Sequence, residues 1–485
     1  MPYILAHDFG TTGDKASLFT IEGEFVKTKT VGYPTHYSHG TWAEQDAEDW
    51  WRAFCESTTA LMEGIDTEEV LCVAFDGTYP NCLCVDSDLK PLHRVMIWQD
   101  TRAYREAEEI SRKLPPKYTA YRSSGIMGTD RTLPKLLWLR KHRPDIYEKT
   151  YKVFPSVMDY IILKMTGHAV CDRETGAGTG MTNVERTEWS AEVMEIAGIP
   201  MDILPELHDA TDIVGEVPAH LAAECGLAAG TKLVMGTGDS RCTSIGAGML
   251  NTGDAYLNGG TSAGILLLPE DGGRRGGSTT SSGASLNWLK NNFCLAEQLA
   301  AKETGRDVYD IINEEIAKAP VGSHGVMYHP YLAGERAPRN NPRAKGSFVG
   351  LSLTSNRQDI MRSVVEGIGL NVNLILQEIR DMGYIVERMP IVGGMAKGEV
   401  TKQIFADIMN VELETFEYTN EAATVGAAVF GGIAMGIYED VSAVRKFIKV
   451  VSVTKPNKEN HEMYKALMPL FEKVYEAMVP VYEDM

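Results

Sequence analysis

The chain opens each of its two halves with the same short pattern: an apolar strand, a turn of glycine and threonine, and a second apolar strand. The first copy contains HDFGTT (7–12) and the second contains NGGTSA (258–263). One such hairpin carries little information, but two copies, each near the start of a half of similar size, indicate two related domains. We take this repeat as the strongest constraint on the fold.

The length agrees with two domains, because 485 residues are too many for one ordinary hydrophobic core. A seam is expected near residues 251–254, which gives an N-terminal domain of residues 1–252 and a C-terminal domain of residues 253–485. Strands and helices are predicted in both halves, so the expected fold class is α/β.

Several elements follow from local patterns. Residues 70–75 are predicted as a buried strand and residues 82–86 as its neighbour, because both are short apolar runs. Helices are predicted over 133–140 and over 359–379, where apolar residues recur at helical spacing. The segment 269–285 is rich in glycine and serine and is predicted as a loop.

Composition excludes several classes of protein. The formal net charge of -19 argues against a nucleic-acid partner, which would favour a basic face. No secretory signal or membrane span is expected, because the apolar run that opens the chain and the run at 425–438 are both too short. The eight cysteines include no C-x-x-C pair, so a reduced, cytoplasmic enzyme fits best.

The turns suggest phosphate binding. A glycine-bearing turn exposes backbone N–H groups, and threonine hydroxyls add further donors, which together form a nest for an anion. Asp8, immediately before the first turn, suits a hydrated Mg²⁺ ion better than a phosphate. The sequence contains no G-x-x-x-x-G-K-[ST] motif, so it is not a P-loop protein. The alternative is a plain β-hairpin that needs glycine for its turn.

The motifs resemble those of the FGGY carbohydrate kinases, which are part of the actin-like ATPase superfamily, and the likeness extends through most of the chain. The stretch 134–142 is similar to the first family signature, and 346–366 matches the second signature position by position. Two segments resemble the xylulokinase-like branch in particular: GTWAEQDAEDWW (40–51) and YLAGERAPRNNP (331–342). A third, VGGMAKGEVTKQIFADIMN (392–410), resembles the adenosine-binding loop and helix of the family.

The resemblance implies two ribonuclease-H-like domains flanking a cleft for ATP and a sugar. Asp8 would then lie near Mg²⁺, and Asp239, at the end of the strand over 233–237, aligns with the catalytic aspartate of the family. A carboxylate there can accept the proton of a sugar hydroxyl. The alternative is an aspartate that caps a helix over 240–248. The residues implied to bind ATP are Gly10, Thr11, Thr12, Gly260, Thr261, Gly393, Gly394 and Lys397.

The sugar-binding segment departs from the family pattern. Xylulokinases carry Ser-Gly-Gln-x-His-Gly, whereas this chain has DGTYPN (76–81), and Pro80 cannot replace the histidine as a donor. Ser240 also stands where xylulokinases tend to have asparagine. Polar groups remain, so a sugar or polyol pocket with different contacts is expected. The candidate substrate-binding residues are Thr78, Tyr79, Trp98, Asp100, Arg122 and Asp239.

Two of these candidates have structural alternatives. Trp98 could stack on a sugar or belong to the core, and Asp100 with Arg102 could bind hydroxyls or form an ion pair. The sequence does not decide between the functional and the structural interpretation of these residues.

The function predicted from the sequence is ATP- and Mg²⁺-dependent phosphorylation of a small sugar or polyol. By resemblance, a ketopentose such as xylulose is the first candidate substrate. Ribulose, erythritol, gluconate and glycerol stay open as substrates within the family. A sensor that binds ATP and sugar without transferring phosphate is the alternative from another class. A homodimer is also left open.

Overall fold

The computed structural model describes residues 1–119, 125–271 and 273–485. These residues divide into two compact units. The first unit consists of Met1–Gly246 and Ala423–Phe447, and the second consists of Ala247–Ala422 and Ile448–Met485. Each unit contains a six-stranded sheet together with helices, which confirms the predicted α/β class.

The strands are mostly short, and the longest belong to the two large sheets. In chain order they are β1 (Tyr3–Phe9), β2 (Gly13–Thr20), β3 (Phe25–Gly32), β4 (His36–Ser38), β5 (Trp42–Gln45), β6 (Val70–Gly77), β7 (Leu83–Val85), β8 (Val95–Met96), β9 (Lys152–Phe154), β10 (Val170–Asp172), β11 (Glu206–His208), β12 (Ile213–Glu216), β13 (Lys232–Gly238), β14 (Ala255–Gly259), β15 (Ala263–Leu267), β16 (Arg275–Ser278), β17 (Met327–His329), β18 (Ser347–Val349), β19 (Arg388–Val392), β20 (Glu412–Phe416) and β21 (Val450–Thr454).

The helices range from one turn to 27 residues. In chain order they are α1 (Ala47–Met62), α2 (Tyr104–Lys113), α3 (Thr132–His142), α4 (Pro144–Tyr147), α5 (Val157–Thr166), α6 (Arg173–Gly178), α7 (Ala191–Ala197), α8 (Ala219–Cys225), α9 (Asp239–Gly246), α10 (Gly283–Phe293), α11 (Leu295–Thr304), α12 (Val308–Ile316), α13 (Arg357–Asp381), α14 (Glu399–Met409), α15 (Ala422–Ala434) and α16 (Lys458–Asp484).

The large sheet of the first unit has the strand order β12-β13-β6-β1-β2-β3. Strands β1, β2 and β3 form an antiparallel meander, β1 and β13 both pair with β6 in parallel, and β12 pairs with β13 in antiparallel fashion. Strand β6 is buried along almost its whole length, as expected for a central parallel strand covered on both faces.

The large sheet of the second unit repeats this plan, with the order β16-β15-β14-β19-β20-β21. Strands β14, β15 and β16 form the antiparallel meander, β19 pairs in parallel with both β14 and β20, and β21 is antiparallel to β20. The shared pattern of parallel and antiparallel pairing supports the sequence interpretation that the two hairpins open two related domains. The chain order differs at one edge: β12 precedes its partner β13, whereas β21 follows its partner β20.

Each unit has its own hydrophobic core. In the second unit the core surrounds α13, whose first turn carries a capping box: the Asn356 side chain accepts from the Asp359 N–H at 3.0 Å, and the Asp359 side chain accepts from the Asn356 N–H at 2.9 Å. Large apolar side chains fill both cores, among them Phe9, Trp50, Phe54, Phe75 and Tyr160 in the first and Leu257, Ile265, Ile368, Ile391 and Phe405 in the second.

Two predictions made from local patterns are wrong. The strand within 82–86 is observed as β7, but it pairs with β9 in a separate two-stranded sheet and is not a neighbour of β6. The segment 269–285 is not a loop throughout, since it contains β16 and the start of α10. Its glycines are needed for close packing: a Cβ on Gly276 would lie 2.0 Å from the Ile265 carbonyl oxygen.

The other predicted elements are confirmed as β6, α3 and α13, with boundaries that differ by one to two residues. Among residues 1–119, 125–271 and 273–485, none of the helices combines the length and apolar character that a bilayer crossing requires.

Candidate active site

The first hairpin is held in place by several contacts to its turn. The Gly10 N–H donates to the carbonyls of Asp8 at 3.2 Å and Gly13 at 3.0 Å. The Thr11 carbonyl accepts from Gln45 Nε2 at 2.7 Å, and the Thr11 hydroxyl accepts from Trp98 Nε1 at 3.2 Å. The turn that the sequence assigns to phosphate binding is therefore fixed from two sides, while Thr12 beside it is exposed.

Two carboxylates lie next to each other at the end of this hairpin. Asp8 in β1 pairs in register with Asp76 in β6, and Asp76 pairs in turn with Thr237 in β13. Lys15, directly across the hairpin, approaches Asp8 with 3.5 Å between Nζ and Oδ2. Neighbouring parallel strands are about 4.8 Å apart, so the two carboxyl groups share one face of the sheet.

Asp76 is the more unusual of the two. Its side chain is completely buried, and neither carboxylate oxygen has a hydrogen-bond partner at bonding distance among the described residues. Burial, followed by the negative charges of Asp8 and Asp239, raises the pKa of Asp76 well above its usual range. Asp239 lies near Asp76, because Thr237, two residues before Asp239, is the strand partner of Asp76.

Asp239 stands at the junction of β13 and α9 and is the first residue of the helix. Its Oδ1 accepts a hydrogen bond from the Ser240 N–H at 2.6 Å. The side chain is half-buried, so it is accessible at the end of the strand. The predicted helix over 240–248 is observed as α9, and a carboxylate at its N-terminus is also favoured by the helix dipole.

The segment 76–81 lies next to the first hairpin in space. The Thr78 N–H donates to the Phe9 carbonyl at 3.0 Å. The Tyr79 ring lies flat against the backbone before Asp239, since a Cβ on Gly238 would be 2.0 Å from Tyr79 Cε1. The Tyr79 hydroxyl is 3.3 Å from Glu174 Oε1. Tyr79 is thus placed beside the predicted catalytic residue.

The other predicted sugar residues differ in accessibility. Trp98 is half-buried and reaches the first turn through its indole N–H, whereas Asp100 is completely buried. Asp100 accepts from the Ala43 N–H at 2.8 Å and forms an ion pair with Arg102 at 2.6 Å. The ion pair that the sequence left open is therefore present, and a sugar contact by Asp100 stays a prediction. Arg122 lies outside the described residues.

In the second unit, the second hairpin forms one wall of a cavity of about 700 Å³. Helix α10 begins directly on this hairpin, with the Gly283 N–H donating to the Gly260 carbonyl at 3.2 Å and the Ala284 N–H donating to the Thr261 carbonyl at 3.0 Å. The residues predicted to bind ATP from this half that line the cavity are Gly260, Thr261, Gly394 and Lys397.

Gly393 adjoins the cavity and holds its loop against the hairpin. Its φ of +89° lies in the region that favours glycine, and a Cβ there would be 2.9 Å from the Gly259 carbonyl carbon. At Gly394 a Cβ would meet no protein atom within 4 Å, so that position faces open space. Gly393 therefore fixes the loop against the hairpin, and Gly394 leaves the backbone accessible to a bound molecule.

Sequence reasoning missed several residues of this site. The polar side chains of Asp307, Asp310 and Asn313 line the far wall of the cavity, on and just before α12. Asn313 is anchored, because its Nδ2 donates to the Tyr309 carbonyl at 2.7 Å and its Oδ1 accepts from the Thr401 hydroxyl at 3.2 Å. No motif marks α12 in the sequence, so only its place in the fold reveals it.

A metal ion could be held by the carboxylates of the first unit. Within the described ranges, no group of three or more His, Cys, Asp or Glu side chains is placed to hold a metal by itself. Mg²⁺ commonly needs only one or two carboxylates, with water and phosphate oxygens completing its shell. Asp8, which is partly exposed at the end of the hairpin, fits that requirement.

Comparison with known proteins points to one family. The sequence model for the N-terminal domain of the FGGY family of carbohydrate kinases matches residues 3–246, and the model for the C-terminal domain of that family matches residues 268–435.

Individual relatives cover nearly the whole chain. A xylulose kinase of Bacillus subtilis is 28% identical over 496 residues, spanning 98% of this chain and 97% of the relative. A gluconokinase of the same organism is 28% identical over 487 residues, spanning 97% and 94%. The crystal structure of a ligand-bound xylulose kinase from Lactobacillus acidophilus has a TM-score of 0.86 at 24% identity, covering 100% of both chains. The likeness in fold agrees with the predicted architecture of two related α/β domains.

Proposed function

The chain belongs to the FGGY family of carbohydrate kinases, and from this we propose that it transfers the γ-phosphoryl group of Mg-ATP to a hydroxyl of a small sugar or polyol. The protein is thus a phosphotransferase that acts on an alcohol group. A ketopentose such as xylulose is the leading substrate. Residues 1–252 contribute sugar binding, the first phosphate hairpin and the base, and residues 253–485 contribute the second phosphate hairpin and adenosine binding.

The observation that carries this proposal is the placement of Asp239. It is half-buried at the start of α9, beside the Tyr79 ring, and close enough to Asp76 to raise the pKa of that residue. In the proposed reaction the substrate hydroxyl oxygen forms a bond to the γ-phosphorus, its proton passes to Asp239, and ADP leaves with the electrons of the broken P–O bond.

The first hairpin contributes the phosphate side of this reaction. The N–H groups and hydroxyls of Gly10, Thr11 and Thr12 are donors for phosphate oxygens, and Lys15 adds a positive charge near Asp8. When bound, Mg²⁺ would neutralise charge on the phosphates, and Asp8 is the residue that would hold it. Two carboxylates beside each other on one face favour a cation at this position.

The cavity of the second unit is proposed as the site of the nucleotide. Its volume of about 700 Å³ suits a nucleoside, and two glycines that line it, Gly260 and Gly394, let the backbone approach a ligand closely. Thr261 and Lys397 are exposed at its edge and offer a hydroxyl and an ammonium to phosphate oxygens.

The substrate is the least determined part of the proposal. The relatives named xylulose kinase and gluconokinase have the same identity of 28%, so similarity does not favour either sugar. Tyr79 and Thr78 take the place of the family's usual sugar contacts, which keeps ribulose, erythritol, gluconate and glycerol as alternatives. A non-catalytic sensor would not need a carboxylate at position 239, so the presence of Asp239 favours the enzyme.

A cytoplasmic location and a homodimer belong to the proposal as well. All eight cysteines are free, which agrees with a reducing compartment. We propose no nucleic-acid partner on the grounds of the net charge of -19, and no membrane partner because the longest apolar run, 425–438, is too short for a span.

The test is the Asp239→Asn variant, assayed by ADP release from Mg-ATP in a mixture of the candidate sugars and polyols. Loss of the base should lower turnover by about 10²–10⁴-fold, while ATP affinity should stay within about twofold because the nucleotide cavity is in the other unit. Asp202→Asn, at an exposed aspartate of the same unit, is the matched control and should behave like the wild type. Near-normal turnover by Asp239→Asn would refute the assignment of the base.

A further inference from the structure

Helix α3 contains a lysine that the proposed reaction does not use. Lys135, the second residue of the stretch PKLLWLRKH (134–142), is completely buried, with 0% of its surface exposed. Burying an ammonium group is unfavourable unless hydrogen bonds replace its water shell. The partners of Lys135 therefore indicate why it is there.

Each of the three protons on Lys135 meets a different main-chain carbonyl. The Nζ atom donates to the Pro80 carbonyl at 3.1 Å, to the Ile97 carbonyl at 2.8 Å and to the Asp130 carbonyl at 2.7 Å. An ammonium has three donors, so its hydrogen-bonding capacity is filled. The three carbonyls belong to three separate segments of the chain.

Two of these segments contain predicted sugar contacts. Pro80 directly follows Thr78 and Tyr79, and Ile97 directly precedes Trp98. Lys135 thus joins the two loops that would form the sugar pocket. In each loop the carbonyl that it binds is one residue away from a predicted sugar contact, Tyr79 or Trp98.

A second set of contacts acts on the same loops. The Asn81 side chain accepts from the Trp98 N–H at 3.1 Å and donates to the Thr78 carbonyl at 2.9 Å. The Asn81 carbonyl accepts from the Thr132 hydroxyl, in the first turn of α3, at 2.7 Å. Helix α3 therefore holds the loops from its first turn as well as through Lys135.

We propose that Lys135 is a positioning residue for the sugar or polyol site, because its ammonium sets the segments 78–81 and 97–98 at a fixed distance from each other. The inference rests on the proposed function, since it assigns a role within that site. Lys135 does not touch the substrate and acts through the main chain of the residues that do.

The charge of Lys135 is needed for this role, and that makes it testable by pH. Burial lowers the pKa of Lys135 to about 8, although its neighbours Cys82, Asp100 and Asp130 raise it and Arg102 lowers it further. A neutral amine has two N–H donors, so above this pKa one of the three carbonyls loses its partner. We expect the KM for the sugar to rise above about pH 8 while the KM for ATP does not follow it.

The experiment compares Lys135→Met with Lys141→Met, a matched change on the same helix. Lys141 is about half exposed and forms an ion pair with Glu109 at the surface. Amide hydrogen–deuterium exchange is measured by mass spectrometry on peptides that cover 76–84 and 95–102, because the Asn81 and Trp98 N–H groups report on the two loops. This readout requires no substrate.

Lys135→Met should speed exchange in both peptides at least tenfold, and Lys141→Met should leave it unchanged. With a turned-over substrate, Lys135→Met should raise the sugar KM at least tenfold, keep the ATP affinity within about twofold, and abolish the rise of the sugar KM above pH 8. Thr132→Val, which removes the hydroxyl bond to the Asn81 carbonyl, should give a smaller increase in exchange in the same peptides.

Unchanged exchange in Lys135→Met would overturn the inference, as would equal changes in sugar KM and ATP affinity. If Lys135→Met does not fold, Thr132→Val decides, and wild-type exchange in that variant would count against the inference. Should the wild type phosphorylate none of the candidate substrates, the proposed function fails, yet the exchange result still decides whether Lys135 holds the loops.

Discussion

The two hairpins of this molecule share a fold but differ in charge. Asp8 in β1 and Asn258 in β14 both stand two residues before the glycine of the turn, in the sequences DFGTT and NGGTS. In each unit the first strand of the hairpin also pairs in parallel with a central strand of the large sheet: β1 with β6, and β14 with β19. One hairpin therefore ends in a carboxylate and the other in a neutral amide.

The surroundings of the two residues differ in the same sense. Asp8 lies beside Asp76, Lys15 and the charge of Asp239, so the first unit concentrates ionisable groups at its hairpin. The second hairpin adjoins a cavity of about 700 Å³ in which glycines and a threonine form its near wall. We infer from this difference that the first unit supplies the acid–base and metal chemistry, and the second supplies a binding surface for the nucleotide.

Among changes to the two hairpins, the largest effect is expected from Asp8→Asn, which makes the first hairpin resemble the second. Removing the carboxylate should lower turnover by about 10²–10³-fold, because the residue that would hold Mg²⁺ becomes neutral. The measurement is the initial rate of ADP release as a function of Mg²⁺ concentration, with Mn²⁺ affinity determined by electron paramagnetic resonance. Unchanged Mn²⁺ affinity would remove Asp8 from the metal site.

The opposite exchange, Asn258→Asp, should make the second hairpin resemble the first. A carboxylate there would repel phosphate oxygens and raise the dissociation constant for ATP by roughly tenfold. Titration with a fluorescent ATP analogue measures the change. An unaltered affinity would show that the second hairpin does not face the phosphates.

A smaller effect is expected where the nucleotide loop meets the second hairpin. Gly393→Ala places a Cβ 2.9 Å from the Gly259 carbonyl carbon in a backbone with φ of +89°, so it should displace the loop and weaken ATP binding by about fivefold. Gly383→Ala is the control, because Gly383 has a φ of +93° but no atom within 4 Å of the added Cβ. If both variants weaken ATP binding equally, backbone strain and not the contact with the hairpin is the cause.

The last prediction concerns stability rather than activity and depends on a buried histidine of the second unit. His329 is buried, stacks on Phe471 with ring centroids 4.4 Å apart, and burial lowers its pKa to about 4. Because the folded protein keeps His329 neutral while the unfolded chain takes up a proton below about pH 6.5, its contribution is fully present above pH 6.5 and is lost as the pH falls towards 4.

Urea denaturation at several pH values tests this. From pH 6.5 to 4, the free energy of unfolding of the wild type should fall relative to that of His329→Phe by up to roughly 3 kcal/mol. His220→Phe, at an exposed histidine of the first unit, should show no such difference. Parallel pH curves for the wild type and His329→Phe would contradict the assignment.

Much of the fold was predictable because it depends on local patterns. The hairpins were recognisable from glycine and threonine between apolar runs, and α13 from the spacing of its buried residues. The strand β16 was not, because its glycines permit close packing in a sheet yet look like a loop in composition. The packing of Ala423–Phe447 with the first unit joins distant parts of the chain, which no local pattern indicates.

The site was predictable only where a motif marked it. Asp8 was singled out because it precedes the glycine-threonine turn, and Asp239 because the family resemblance aligns it with a catalytic aspartate; both assignments stay predictions. Three groups could be found only from the structure: the unpartnered oxygens of Asp76, the three carbonyls on Lys135 and the polar wall formed by α12. Each depends on which segments lie together in space, and sequence spacing does not contain that information.

The most direct test of the account is ADP release from Mg-ATP by the wild type against a panel of both enantiomers of xylulose and ribulose, erythritol, glycerol, gluconate and common hexoses. The account predicts that one compound raises the rate far above the others, and that this compound is phosphorylated on a hydroxyl. If no compound in the panel raises the rate of ADP release although ATP still binds, the account is contradicted. That result would favour a protein that binds nucleotide and sugar without transferring phosphate.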